Sequence, residues 1–311
     1  MNPLVALAVV TTSITPKRRP LPALVSAMRP TQWVKNGLLA IAPAAAHRLT
    51  HGDVFWRTAI AFVAFCFMAS GIYLFNDVRD AQSDRLHPTK RFRSIASEEL
   101  STRTALTCAV VFVIIAFAIP FAMSRSQGLL LVLGLYFVIS ISYSLWLKRV
   151  AIIEMGVVAS GFFLRAYGGA VTSHIPVSTW FLVVISFGAL FLVVGKRTSE
   201  MKNVDGNATR PVLAEYTSEF LRSALTMSAT VVVTGYCLWA FDTSATGLSS
   251  GYNDFLPIRL TVVPVVFAVL FIMRSAEAGD GAAPEELLLH NRTIQALALI
   301  WVALIAWGVY G

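Results

Sequence analysis

Residues 56–84 read WRTAIAFVAFCFMASGIYLFNDVRDAQSD. From Trp56 to Phe75 the only charge is Arg57, and a run of about 20 apolar residues is what a helix needs to cross the hydrocarbon of a bilayer. Lipid offers no partner to an open strand edge, so a run of this length is helical. The stretch then changes character, to Asn76-Asp77-Val78-Arg79-Asp80-Ala81-Gln82-Ser83-Asp84. An apolar span that ends in a regular series of carboxylates is read as a membrane helix whose emerging end carries chemistry.

The rest of the chain agrees with a membrane setting. Of its 311 residues 56% are hydrophobic and 14% charged, and the mean hydropathy is +0.69. Soluble domains carry about a quarter charged residues, so a water-soluble globule is excluded. Disorder is excluded by the hydrophobicity. The three cysteines, Cys66, Cys108 and Cys237, all lie within apolar runs, where they read as small buried hydrophobes rather than a disulfide framework. Further apolar runs lie near 34–46, 106–122, 128–147, 152–171, 177–194, 221–241, 257–273 and 294–310. With 56–75 they make nine expected crossings in an all-α, polytopic bundle, the run at 34–46 being short. The stretch 1–12 is apolar, but Lys17, Arg18 and Arg19 follow it, the reverse of a cleaved signal peptide. Residues 1–24 are therefore expected as a loose tail, and 25–311 as one transmembrane domain.

Lys and Arg fix the orientation. With nine spans, one side holds the N-terminus and the loops 76–105, 148–151, 195–220 and 274–293. With helix-edge residues included, that side carries 20 of the 25 cations, against Arg48, Arg57, Arg125 and Arg259 opposite. It is expected to be cytoplasmic, placing the protein in the plasma (inner) membrane with membrane lipids around it. Thirteen of the 17 Asp and Glu residues fall on the same side, including Asp205, Asp280, Glu285 and Glu286. The positive-inside rule needs only the cations, so carboxylates packed among them point to charged, metal-bound material. No nucleic-acid partner is expected.

Asp77, Asp80 and Asp84 stand at i, i+3 and i+7, within about 60° of one another on a helix at 100° per residue. Asn76, four residues before Asp80, joins the stripe. Clustered carboxylates repel, and hard oxygen ligands of this kind suit Mg²⁺ bridged to substrate phosphates. A solvated acidic helix end explains three aspartates alone. The segment that follows, with Arg85, His87, Lys90, Arg91 and Arg93 around Pro88, makes a phosphate clamp the better reading: metal on one side, a flexible cationic segment on the other. His87 reads as a loop residue.

Other charges have two readings each. Tyr143 and Lys148-Arg149 follow the fourth span, where a Lys-Arg pair also serves as an interface anchor. Lys196-Arg197-Thr198-Ser199-Glu200 follows the sixth, with Lys202, Asp205 and Arg210 beyond. Lys196 and Glu200, at i and i+4, can simply pair. Glu154 lies near a span end, where surface solvation accounts for it. Arg165 lies deep in the fifth span, before Gly168-Gly169, and an intramembrane Arg is either a structural ion pair or a contact to an anionic substrate. In Arg29-Pro30-Thr31-Gln32-Trp33-Val34-Lys35-Asn36, Trp33 suits the aromatic belt; Lys35 and Asn36 can reach the same polar chamber or belong to that belt.

The motif Asn76-Asp77-x-x-Asp80-x-x-x-Asp84 with nine spans resembles the UbiA superfamily of intramembrane prenyltransferases. Three segments are similar to its phosphoribosyl-transferring branch: Arg29 to Asn36, Asn76-Asp-Val-Arg-Asp80 through His87-Pro-Thr-Lys-Arg-Phe-Arg93, and Val194-Gly-Lys-Arg197 with Glu200. The resemblance runs from about Val25 to the C-terminus and implies a UbiA-type helical bundle with a cytoplasm-facing polar chamber. It also suggests a homotrimer. The superfamily's second motif, DxxxD, is replaced here by Gly195-Lys196-Arg197-Thr198-Ser199-Glu200, which fits a site meeting more than one phosphorylated molecule.

The resemblance implies phosphoribosyl pyrophosphate as donor and a polyprenyl (decaprenyl) phosphate as acceptor, in the supply of cell-wall arabinan precursors. Asp77, Asp80 and Asp84, assisted by Asn76, would hold Mg²⁺ at the pyrophosphate. Lys90, Arg91 and Arg93 would hold donor phosphates. Lys35, Lys148, Arg165, Lys196 and Arg197 are candidates for the 5-phosphate or lipid phosphate, with Asn36 in the same chamber, and Tyr143 and Glu200 for the ribose or the metal. These two substrates bring roughly six negative charges, at about 1.5–2 per terminal phosphate, which matches a cation-rich site. An aromatic prenyltransferase of quinone synthesis presents a lighter load. A transporter is the remaining rival, although no internal repeat is evident and only Arg165 lies deep.

Overall fold

The apolar run at 56–75 and the carboxylates behind it form one helix, α3, Gly52–Leu86. The computed structural model describes residues 20–46, 48–123, 127–202, 211–242, 256–279 and 291–310, and the regular structure among them is all helical. At 1.5 Å per residue the 35 residues of α3 reach about 52 Å, against about 30 Å of hydrocarbon. The stretch 76–86 is thus a helical projection that carries the aspartate stripe on one face, as its spacing predicts, and the loop assigned to 76–105 begins only at His87. It stops at Leu86 because His87 precedes Pro88. The residue before a proline is pushed out of the helical region, and His87 is extended at φ −88° and ψ 135°.

The other helices are α1 (Pro20–Met28), α2 (Ile41–Ala45), α4 (Thr102–Ala118), α5 (Gln127–Leu145), α6 (Ile153–Thr172), α7 (Thr179–Lys202), α8 (Ser218–Phe241), α9 (Leu256–Leu260), α10 (Val262–Ala278) and α11 (Arg292–Tyr310). A 3-10 helix, Pro30–Ala40, leads into α2. Ser101 and Thr217 start α4 and α8 by accepting the amides of Thr104 and Phe220, the usual N-cap bond. Neighbours in sequence pack together: α3 on α4, α5 on α6, α6 on α7, α7 on α8, with α10 against α7, α8 and α11.

Helix α6 is the spine. Its Leu164 end joins a core with Phe65, Met68, Leu129 and Leu133, and its Met155 end joins another with Val194, Leu221 and Leu225. Large apolar side chains such as Ile114, Leu131, Val138 and Leu299 point outward, as lipid-facing positions do. Two close approaches require glycine. A Cβ on Gly169 would overlap the Leu39 carbonyl, where the 3-10 segment crosses α6. A Cβ on Gly71 would lie 2.9 Å from the Ala109 oxygen, between α3 and α4.

Six helical stretches among the described residues are long and apolar enough to cross a bilayer: Gly52–Leu86, Thr102–Phe121, Gln127–Leu145, Thr179–Lys202, Ser218–Phe241 and Leu256–Ala278. The protein is therefore multi-pass, while a count of nine is not confirmed. The expected span 34–46 is the 3-10 helix plus the five-residue α2, too short in either piece. Helix α6 has 20 residues but includes Glu154 and Arg165, and the apolar part of α11 is shorter than the rest. Of the expected tail, residues 1–19 lie outside the described residues, and residues 20–24 belong to α1.

Candidate active site

The projecting end of α3 places its three aspartates against three cations from other parts of the chain. Asp77 Oδ1 accepts from Arg29 Nη2 at 2.5 Å and from Arg93 Nη1 at 3.2 Å. The same Arg93 nitrogen donates to Asp84 Oδ2 at 2.8 Å. Asp80 Oδ1 accepts from Lys148 Nζ at 2.6 Å, and its Oδ2 from Asn76 Nδ2 at 3.1 Å. Asp77 and Asp84 are buried, at 5% and 6% side-chain exposure, so each carboxylate needs a positive partner.

The segment carrying Arg93 is packed in place, contrary to the flexible segment expected. Ile95 and Leu100 are buried with Leu74 of α3 and Ala105 of α4, and Arg85 Nε donates to the Ala96 carbonyl at 3.2 Å. His87 caps this turn locally: its Nδ1 accepts the amides of Thr89 and Lys90. Lys90 lies in the 3-10 turn Lys90–Phe92, and the Arg91 guanidinium stacks over the Phe92 ring at 4.8 Å.

A second feature is a pocket of about 180 Å³ lined by Lys35, Tyr143, Val158, Phe162, Lys196 and Arg197, among others. Four sequence-expected residues thus meet in one place, brought there by three separate parts of the chain. Lys35 Nζ donates to Gln32 at 2.6 Å and stands 5.7 Å from the Phe162 ring centre. Lys196, Arg197 and Glu200 lie on the last turns of α7 rather than in a loop. The C-terminal end of α5 links the two features. Tyr143 lines the pocket, Lys148 in the following turn reaches Asp80, and Arg79 donates to the Leu145 carbonyl at 3.4 Å.

Three expectations need correction. Arg165 and Asn36 do not face the pocket; both are buried in the core. Arg165 Nε donates to Asn36 Oδ1, Nη1 to the Gly161 carbonyl and Nη2 to Tyr136 Oη, each at 2.7 Å, and Asn36 Nδ2 donates to Cys66 Sγ. Among the described residues this is a neutral hydrogen-bonded seat for a cation and not an ion pair. Arg197 is committed to carboxylates: Nε and Nη2 take the two oxygens of Glu154, and Nη1 takes Glu200 Oε2 at 2.7 Å. Glu200 is thus reached by Arg197, three residues before it, where the i, i+4 spacing offered Lys196.

Glu154, read in sequence as surface-solvated, is fully buried. Tyr216 Oη approaches it at 3.5 Å and accepts the Ile152 amide at 2.7 Å. Ile152 sits at φ 67° and ψ −51°, a positive-φ conformation costly for a β-branched residue, so the hydroxyl bond holds the turn that aims Glu154. Burial pushes the Tyr216 hydroxyl pKa up. Sequence reasoning missed the roles of Glu154 and of Arg29. Two opposite charges within apolar helices, each expensive alone, are the available signal for Glu154 and Arg197. Asp205, Arg210, Asp280, Glu285 and Glu286 lie outside the described residues.

The aspartates partly fit a divalent cation. Asp77 and Asp84 enclose one positively charged nitrogen, the position such an ion would take. Asp80 turns to Lys148 and Asn76, and among the described residues no three His, Cys, Asp or Glu side chains converge as a metal group. Two carboxylates in register, with a third one turn away, suit Mg²⁺, which keeps several waters and few protein ligands.

Residues 37–293 match the model of the UbiA prenyltransferase family. The chain belongs to that family. It is 40% identical over 292 residues to the decaprenyl-phosphate phosphoribosyltransferase of Corynebacterium glutamicum, covering 92% of this chain and 86% of the relative. To the enzyme of the same name from Mycolicibacterium smegmatis it is 36% identical over 303 residues, covering 95% of each. Among solved structures, a UbiA homologue from Archaeoglobus fulgidus bound to GPP and Mg²⁺ superposes with a TM-score of 0.66 at 17% identity, over 92% of this chain and 98% of that one. At that identity the likeness establishes the fold. The family and its relatives make the chain a membrane-embedded transferase.

Proposed function

We propose that the protein transfers the 5-phosphoribosyl group of phosphoribosyl pyrophosphate to a polyprenyl phosphate, decaprenyl phosphate in the first instance, releasing pyrophosphate. The product would feed cell-wall arabinan synthesis, and the active site would open to the cytoplasm at the plasma membrane, with the N-terminus on that same side as the distribution of Lys and Arg favours. The observation that carries this reading is the meeting of Lys35, Tyr143, Lys196 and Arg197 in one pocket, tied through α5 to the carboxylates at the end of α3. The names of relatives that match nearly the whole chain support the same substrates.

Asp77 and Asp84, with Asp80 and Asn76 beside them, would hold Mg²⁺, which when bound supplies neutralisation of the charge on the departing pyrophosphate. Arg93, Lys90 and Arg91 stand beside those carboxylates as cations for the donor phosphates. Lys35 and Lys196 would orient a phosphate in the pocket, with Tyr143 available as hydroxyl donor. Glu200, held by Arg197, is an acceptor suited to ribose hydroxyls. The acceptor phosphate is largely ionised near neutral pH, since its second pKa is about 6. Its oxygen attacks C1 of the ribose as the C1–O bond to pyrophosphate breaks, the electron pair leaving on the pyrophosphate oxygen, and no general base is needed. That accords with a pocket lining of Lys, Arg, Tyr and apolar residues.

An apolar cavity of about 430 Å³, lined by Gly37, Ile41, Phe181, Trp239 and Trp301 among others, starts two residues beyond Lys35 and suits an isoprenoid tail. Purified protein given Mg²⁺, labelled phosphoribosyl pyrophosphate and decaprenyl phosphate should move label into lipid and release pyrophosphate in equal amounts. Failure of that transfer, with turnover of a prenyl diphosphate and an aromatic acceptor instead, would overturn the assignment.

A further inference from the structure

The geometry points to Arg93 as a cation that competes with the metal for the space between Asp77 and Asp84, and that is released toward the donor phosphates when the metal enters. This rests on the reading of the aspartates as the metal-holding group, and adds to it a role for one residue of this chain. Arg93 Nη1 is shared by the two carboxylates, at 3.2 and 2.8 Å. Three aspartates face three cations, Arg29, Arg93 and Lys148, so the group is already neutral. A doubly charged ion added to it would overcharge the site at short range, where like charges repel strongly. One cation has to leave.

Arg93 is the one placed to do so. Arg29 is held a second time by the Tyr73 ring, whose centre is 5.1 Å from its guanidinium carbon, and Lys148 serves Asp80 rather than the space between the other two. The backbone at Arg93 is fixed by the buried Ile95 and Leu100 and by the bond from its amide to the Lys90 carbonyl at 2.9 Å. The side chain is 30% exposed, so the exchange is a change of rotamer and needs no loop movement. It turns Arg93 from a carboxylate partner into a phosphate partner only after the metal has arrived. Metal loading thereby prepares the donor site.

The test is binding of Mn²⁺ alone to the purified full-length protein, followed by electron paramagnetic resonance, with no substrate present. Arg93→Gln, which approximates the side chain and removes the charge, should bind Mn²⁺ about tenfold tighter or more, as loss of one competing charge at contact predicts, while its KM for phosphoribosyl pyrophosphate rises. Arg93→Lys, which keeps the competing charge, should stay near the parent in Mn²⁺ affinity. Should Arg93→Gln fail to fold, the parent protein supplies the second measurement: Mg²⁺ alone should increase phenylglyoxal labelling of Arg93, read by mass spectrometry. Mn²⁺ affinity unchanged or weakened in Arg93→Gln, or Mg²⁺-independent labelling, would overturn the exchange and leave the metal reading standing. A parent protein that binds no Mn²⁺ would overturn both.

Discussion

Arg197 on α7 holds Glu154 on α6 through two bonds, Nε to Oε1 at 2.6 Å and Nη2 to Oε2 at 2.7 Å, with the side chains 2% and 0% exposed. Forty-three residues separate them in sequence. The fork geometry satisfies both carboxylate oxygens, and Glu200 takes a third guanidinium donor. Arg197, one of three cations that line the pocket with Lys35 and Lys196, is thus engaged by two carboxylates. A buried pair of this kind is poor evidence of net stability but costly to break from one side.

Glu154→Ala should therefore destabilise the protein by about 3–5 kcal/mol, the cost of stranding a buried charge. Loss of thermal stability in detergent, read as a lowered midpoint of unfolding, measures it. Removing both charges, as Glu154→Gln with Arg197→Met, should recover most of that loss. A Glu154→Ala protein as heat-stable as its parent would show that solvent reaches the pair.

What depends on near neighbours is legible in the sequence. Asp77, Asp80 and Asp84 share a helix face because about 3.6 residues make a turn, so their stripe can be read directly, as can the apolar span that carries them. The extension of α3 to Leu86 is harder to read, because hydropathy marks the edge of the lipid and not the end of the hydrogen-bonded ladder. Pairings across the bundle are not legible. Arg29 with Asp77, 48 residues apart, and Arg165 with Asn36, 129 apart, depend on how helices cross, which no local period encodes. The broken helix over residues 30–45 has the apolar composition of a short span, but its two prolines and its crossing over Gly169 give it another course.

Arg165 is held by three neutral acceptors, so its replacement should show in stability and not in substrate affinity. Arg165→Lys keeps the charge and loses the planar fork; one ammonium nitrogen replaces the three guanidinium nitrogens that separately reach Asn36, Gly161 and Tyr136, so the set of bonds is weakened. A loss of about 2–4 kcal/mol follows, from hydrogen bonds to a charged group. KM values of the surviving enzyme should match the parent. A stable Arg165→Lys protein with a raised KM for either phosphate substrate would make it a ligand after all.

Gly169→Ala should fail to give folded protein, because the added methyl meets the Leu39 backbone, which cannot turn aside. Gly134→Ala in α5 is the control: nothing lies within 4 Å of its added Cβ, and alanine in a helix is favoured over glycine by about 0.5–1 kcal/mol. Monodisperse yield after detergent extraction separates the two. Equal yields would mean that the 3-10 segment and α6 do not approach as closely as Gly169 indicates.

Asp77→Asn keeps the shape of the side chain and removes the charge that Arg29 and Arg93 both address. Asp80→Asn does the same for Lys148. If these carboxylates hold a divalent cation, both variants should insert normally and lose turnover by more than about 100-fold, in line with the charge stabilisation such an ion supplies. The parent protein should lose transfer in excess EDTA and regain it with added Mg²⁺. The two interventions are independent, since chelation leaves the ion pairs of α3 intact while the substitutions remove them. Full turnover of the parent in EDTA would mean that the aspartates serve only to hold Arg29, Arg93 and Lys148 in place; near-normal Asp77→Asn and Asp80→Asn enzymes would remove them from the chemistry altogether.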